Sequence, residues 1–187
     1  MARAGVTADR VVEAAAELAD ETGFDNVTLS AVARRFGVTV PSLYFHVRSI
    51  DELRVRTAVR ALAEMADRVA EAIAGRSGKD ALVAFADAYR GYAREHPGRY
   101  QASRLRLDFK TAAASAAVRH SQMTRALLRG YGLPEGEENH AVRMLASTLH
   151  GFASLEASGG FDLSPEIETS WTRILDALDL SLRNWPR

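Results

Sequence analysis

The run from Thr28 to Leu53, TLSAVARRFGVTVPSLYFHVRSIDEL, constrains the fold more than any other part of this chain. It reads as two short helices joined by a tight turn and leading into a third. Thr28 is a good N-cap, its hydroxyl able to accept a backbone N–H of the first turn. Leu29, Val32, Ala33 and Phe36 recur at helical spacing and give the first helix one apolar face. Gly37 supplies the left-handed backbone that ends that helix without a Cβ clash. Val38 plugs the corner, and Thr39 caps the next helix. Pro41 lies in that helix's first turn, where a missing N–H costs little. The second helix, over Val40, Pro41, Ser42, Leu43, Tyr44, Phe45 and His46, is about two turns long. A short capped helix set at an angle by a glycine turn is the helix-turn-helix arrangement, whose second helix fits the DNA major groove.

The rest of the chain is helical in pattern. Alanine and leucine are abundant, strand-type alternation is absent, and an all-α protein of one or two domains follows. With no cysteine, disulfides and thiolate metal sites are excluded. No apolar run approaches the roughly 18 residues of a membrane span. The N-terminal MARAGVTADR lacks the apolar stretch of a signal peptide, so a soluble cytoplasmic protein is expected. Net charge is zero, which argues against indiscriminate coating of nucleic acid. The charges are nevertheless uneven. Between Thr28 and Arg60 stand Arg34, Arg35, Arg48, Arg54, Arg56 and Arg60, against only Asp51 and Glu52.

Thr7 caps a first helix with the buried stripe Val11, Ala14, Ala15, Leu18 and Ala19, ended by Gly23. Phe24 and Val27 close a three-helix core with Leu29, Val32, Phe36, Val38 and Leu43, and Phe45 is assigned to that core or its edge. Ser49 and Glu52 read as a capping box that starts a long helix from Ile50 to about Ala74. Helices are then expected over Asp80–Glu95, from Pro97, over Thr111–Gly130, over Glu135–Ser158, and from a Ser164-Pro165 cap to Arg183. The boundaries predict a helix-turn-helix domain at 1–53 and a larger helical domain at 54–187.

The ordered string T-L-x-x-V-A, F-G-V, S-L-Y-F-H-V and D-E-L resembles the DNA-binding segment of the tetracycline-repressor (TetR) family of bacterial transcription regulators. The preceding helix, the length and the helical layout are similar too. The resemblance implies an N-terminal three-helix DNA-binding domain and a C-terminal helical domain for ligand binding and dimerisation. It also implies a homodimeric, ligand-responsive repressor of an inverted-repeat operator, with no cofactor and no catalytic residue.

By position, Thr28 and the backbone at the start of its helix can grip a phosphate. Tyr44, His46 and Arg48 can reach the DNA backbone beside the groove, as the matching family positions do. Thr39, Val40, Pro41 and Ser42 are the base-facing set, with Ser30 and Arg34 or Arg35 assisting. No Asn, Gln, Lys or Arg stands on the reading helix, so apolar contact of Val40 and Pro41 with thymine methyl groups is the direct readout available. His46 satisfied within its own domain, and Tyr44 as packing, remain open alternatives.

Two further sites are expected. Phe85, Tyr89, Tyr92, Tyr100, Phe109, His120, Met123, Leu127, Met144, Thr148 and Phe152 could surround an apolar effector cavity between helices. An aromatic stripe of this kind also fits plain core. The last two helices are apolar over wide arcs, which calls for two buried faces. Leu145, Leu149, Ala153, Trp171, Ile174, Leu175, Leu178 and Leu182 are therefore expected in a dimer interface, unless both faces are buried within one monomer. No Gly-rich phosphate loop, HExxH, G-x-S-x-G or zinc-ligand spacing is present, so no enzyme or metal site is expected. The alternatives are a DNA-binding dimer controlled by a protein partner or without any effector, and an activator instead of a repressor.

Overall fold

A computed structural model describes residues 5–161 and 166–186; the expected Ser164-Pro165 cap lies outside the described residues. Among them are ten α-helices and no strand. They are α1 (Ala8–Thr22), α2 (Leu29–Phe36), α3 (Val40–Leu43), α4 (Ile50–Ile73), α5 (Gly78–Glu95), α6 (Pro97–Ser103), α7 (Phe109–Ala114), α8 (Ala117–Arg129), α9 (Glu138–Ala157) and α10 (Ile167–Arg183). The fold is all-α, and no described helix is long and apolar enough to cross a membrane.

The chain divides into two compact units, residues up to Glu64 with Glu95–Ala116, and Met65–Arg94 with Ala117–Arg187. The expected boundary at 53/54 differs from this because two later segments join the first unit. Leu53 and Ala61 of α4 belong to the same core as Val11, Ala15, Phe24, Val32 and Leu43. Residues 95–116 join because α6 lies directly on α1. A Cβ at Gly98 would stand 1.9 Å from the carbonyl oxygen of Ala19, so the two backbones touch there. Around that contact Asp20 Oδ1 accepts the N–H of Arg99 at 2.8 Å, and Asp20 Oδ2 lies 3.1 Å from His96 Nδ1. Gln101 Oε1 accepts the N–H of Phe24 at 3.0 Å, which supplies a partner for the chain just past α1.

In the second unit Leu82 and Phe85 of α5, Leu127 and Leu128 of α8, Leu145, Leu149 and Phe152 of α9, and Trp171, Leu175, Leu178 and Leu182 of α10 form one core. Seven of the residues expected to pair with a second copy are thus the chain's own interior: Leu145, Leu149, Ala153, Trp171, Leu175, Leu178 and Leu182 are all buried. Ile174 packs partly against the same core. The wide apolar arcs are used inside one chain, and the outward faces of α9 and α10 carry Ala146, Ser147, Ser154, Leu155, Ala177 and Leu180.

The helix expected over Thr111–Gly130 is interrupted. Asp108 caps α7 by accepting the Thr111 N–H at 3.0 Å. The break follows at Ser115, whose backbone is extended and whose hydroxyl donates to the Ala112 carbonyl at 2.8 Å. A serine hydroxyl that bonds the last turn competes with the next helical hydrogen bond.

Candidate nucleic-acid interface

The first unit builds its exposed polar face from local rules. Thr28 Oγ1 accepts the Ala31 N–H at 3.1 Å and so caps α2. Gly37, at φ 65°, takes the left-handed conformation that closes α2, and the Val38 N–H reaches back to the Ala33 carbonyl at 3.0 Å. Thr39 stands at the N-cap of α3, but its hydroxyl pairs with Ser42 Oγ at 3.0 Å and caps no backbone N–H. The second helix, expected to span two turns, is one turn long. After Leu43, the Tyr44 and His46 N–H groups bond three residues back, to Pro41 and Leu43, which tightens the chain into a turn.

Leu43 and Val47 are buried and anchor this turn. Val40 packs partly against the core, so it is a support more than a free base-reading group. Thr28, Ser30, Arg34, Thr39, Pro41 and Arg48 are exposed, with Ser42 and His46 half-buried. Tyr44 is 54% exposed and Phe45 89% exposed. The assignment of Phe45 to the core is therefore corrected. Residues 43 and 47 share the inward side of the turn, so a residue midway between them points outward. That spacing was visible in the sequence.

Arg35 has carboxylate partners on the preceding helix. Its guanidinium lies 2.8 Å from Glu17 and 2.9 Å from Glu21, both on α1. The hydrogen bond it donates to the Glu21 carboxylate, reinforced by Glu17, raises its pKa above the ordinary arginine value. Arg35 ties α2 to α1, while Arg34 and Arg48 are likewise exposed. The expected capping box is altered as well. Ser49 Oγ accepts the Glu52 N–H at 3.1 Å, but the Glu52 carboxylate takes the N–H of Arg48, one residue earlier, at 2.6 Å.

A capped α2, a glycine turn and a one-turn helix that exposes Pro41, Tyr44 and Phe45 over a closed core make a helix-turn-helix. Residues 11–57 match the model of the bacterial regulatory proteins of the tetR family. Residues 82–178 match the tetracyclin repressor-like C-terminal domain. The HTH-type transcriptional regulator YobS of Bacillus subtilis is 33% identical over 183 residues, 98% of this chain and 92% of that protein. The chain belongs to the TetR family. It is a DNA-binding transcriptional regulator and not an enzyme.

Two solved structures share this TetR fold. BioQ with its double-stranded DNA operator is 20% identical, with a TM-score of 0.64 over 94% of this chain and 99% of that one. A TetR variant from Acinetobacter baumannii in complex with minocycline is 20% identical, with a TM-score of 0.69 over 96% and 98%.

The effector set expected from the sequence is divided between the two compact units. Tyr100 and Phe109 fall in the first compact unit, and Phe109 is 91% exposed. Phe85, Tyr92, Leu127 and Phe152 are buried in the second unit, with Tyr89, Met123 and Met144 packed beside its core. His120 and Thr148 are half-buried. Clefts of about 280 and 160 Å³ in this unit lie along Leu128–Glu138 and beside Ile73, Gly78 and Gly130, and of the expected set they include only Leu127.

Proposed function

We propose that this TetR-family protein is a homodimeric, cytoplasmic repressor that binds an inverted-repeat operator through residues 39–46 and is released by a small, largely apolar effector. The observation that carries the DNA reading is the exposure of Tyr44 and Phe45 on a turn whose inward residues, Leu43 and Val47, are buried. Large aromatic groups presented to solvent on an anchored turn are suited to contact sugar, phosphate and thymine methyl groups, and Thr28 at the N-terminus of α2 adds a phosphate grip. Two such turns in a dimer would meet major grooves roughly 34–36 Å apart. The outward stripe of α9 and α10, with Leu155 and Leu180 among small residues, supports pairing with a second copy through those helices.

Selection of bound duplexes from a random library with the purified chain tests this directly; an enriched inverted repeat is expected. Tyr44→Ala and Phe45→Ala should each weaken operator binding by about tenfold, because contacts of this kind carry on the order of 1–3 kcal/mol. Neither should lower thermal stability, since both side chains are exposed. Retained affinity in both variants would remove α3 from the interface. The two arginines should separate as well. Arg48→Ala should reduce the slope of log affinity against log salt by about one, as a lost phosphate contact does. Arg35→Ala should leave that slope unchanged and lower stability by less than about 1 kcal/mol, as expected for a solvent-screened staple.

The close packing of Phe85, Leu127 and Phe152 favours a second reading, a DNA-binding dimer controlled by a protein partner or by none. Thermal-shift screening of metabolites separates the two. Any small molecule that binds the folded chain raises its melting temperature. Stabilisation that also weakens operator binding supports the effector reading, the coupling being on the order of 1–3 kcal/mol and reciprocal.

A further inference from the structure

The reading turn has little apolar purchase of its own. α3 is four residues long, and Leu43 is its one buried side chain. Val47 follows as the next anchor. Leu43 and Val47, with Val40 only partly packed at the start of the helix, hold the turn against the core, and its C-terminal end is fixed by further contacts. Those contacts come from the first turns of α4. Arg56 Nη1 donates to the backbone carbonyl of His46 at 3.1 Å, at the end of the reading turn. The same guanidinium lies 3.9 Å from Glu52 Oε1 and 3.8 Å from Asp9 Oδ1, in the first turn of α1. Glu52 in turn holds the Arg48 N–H at 2.6 Å. A planar guanidinium can face these groups together, whereas an ammonium offers a single point of charge.

We propose that Arg56 is a positioning residue for DNA binding: by holding the His46 carbonyl, with Glu52 holding the Arg48 N–H, it makes the aim of the reading turn follow the first turns of α4. The proposal rests on the reading of α3 as the DNA-contacting element. Its charge already faces two carboxylates, so Arg56 acts through the backbone it holds and not as a phosphate contact. Any displacement of the N-terminal end of α4 then re-aims Tyr44 and Phe45 without melting the domain.

The test uses the full chain, a duplex operator selected by the unmodified protein, and a scrambled duplex of equal length. Arg56→Gln should weaken operator binding by about tenfold or more, the scale of a lost hydrogen bond to a charged group. Affinity for the scrambled duplex and the salt slope should stay unchanged, so the ratio between the two duplexes falls. Arg56→Lys should behave like Arg56→Gln, because charge without the planar fork does not span these partners. Glu52→Gln, which keeps a weaker acceptor, should lose roughly threefold. Unchanged operator affinity in Arg56→Gln overturns the proposal. So does rescue by lysine, or a salt slope lowered by about one, either of which makes Arg56 a phosphate contact. Should Arg56→Gln fail to fold in a thermal melt, Glu52→Gln decides, and an unaltered ratio between the duplexes there overturns the brace. An unmodified chain that binds no duplex sinks the DNA-reading turn and the brace together, whereas normal binding with indifferent variants sinks the brace alone.

Discussion

Gly98→Ala should lower the melting temperature by roughly 6–12 °C, corresponding to about 3 kcal/mol in a chain of this size. The added Cβ would meet the Ala19 carbonyl oxygen at 1.9 Å, its carbon at 2.0 Å and the Asp20 nitrogen at 2.5 Å. All three are backbone atoms of α1, so no side chain can swing aside. α6 must lift away from α1, and the contacts around Gly98 are stretched with it: the Arg99 N–H on Asp20 and the Gln101 carboxamide on the Phe24 N–H. The usual gain in helix propensity from glycine to alanine, about 1 kcal/mol, is too small to offset this. Gly151→Ala is the control. That glycine sits within α9 with nothing inside 4 Å of an added Cβ, so alanine there should stabilise by about 0.5–1 kcal/mol. Differential scanning calorimetry of the two variants settles the matter. A Gly98→Ala melt matching that of the unmodified chain would mean that α6 does not rest on α1 as described.

This contact also shows what the sequence could and could not convey. Caps and turns were legible because they are local: Thr7, Thr28, Gly37 and the start of α4 each satisfy a backbone group within a few residues. Gly98 follows Pro97 in a first helical turn and looks unremarkable, because its reason lies some eighty residues earlier at Ala19. Charge sign was legible but charge partner was not. Arg34, Arg35 and Arg48 read alike, and only the placement of Glu17 and Glu21 on α1 makes Arg35 a staple. Periodicity showed that α9 and α10 bury wide apolar faces. It carries no information on whether the burying surface belongs to the same chain, which is why core residues such as Leu149 and Leu178 were assigned to a partner. For Phe45 the spacing pointed outward while hydrophobicity pointed inward. Spacing was the better guide, as it is wherever function needs an apolar group in solvent.

Arg90→Ala should be the most damaging change in the second unit, at about 3–5 kcal/mol, the scale for leaving a buried charge without its partner. Arg90 lies on α5 and is 4% exposed. Its Nε and Nη2 donate to the Glu156 carboxylate of α9 at 2.8 and 2.6 Å, and Nη1 and Nη2 to the Glu168 carboxylate of α10 at 2.8 and 2.9 Å. The guanidinium also lies 5.1 Å from the ring centres of both Phe152 and Trp171. Hydrogen bonding to Glu156 and then Glu168 outweighs desolvation and raises the Arg90 pKa well above its ordinary value. Truncation therefore removes three helices' common tie and leaves the Glu156 carboxylate, 14% exposed, with only the longer 4.0 Å approach of the exposed Arg94. Arg90→Lys should recover only a small part of the loss, since an ammonium cannot serve two carboxylates in fork geometry. Arg90→Met should fall above alanine in stability, because it refills the volume against Phe152 and Trp171. The acid limb of the stability curve gives an independent check. Arg90 holds the Glu168 carboxyl below its ordinary pKa. Stability from that shift is complete above the unfolded carboxylate range and is lost as pH falls through the lowered value. Without Arg90 this share of the acid-side slope disappears. A variant that kept both the melting temperature and the acid limb would show that α5, α9 and α10 are held together without the Arg90 tie.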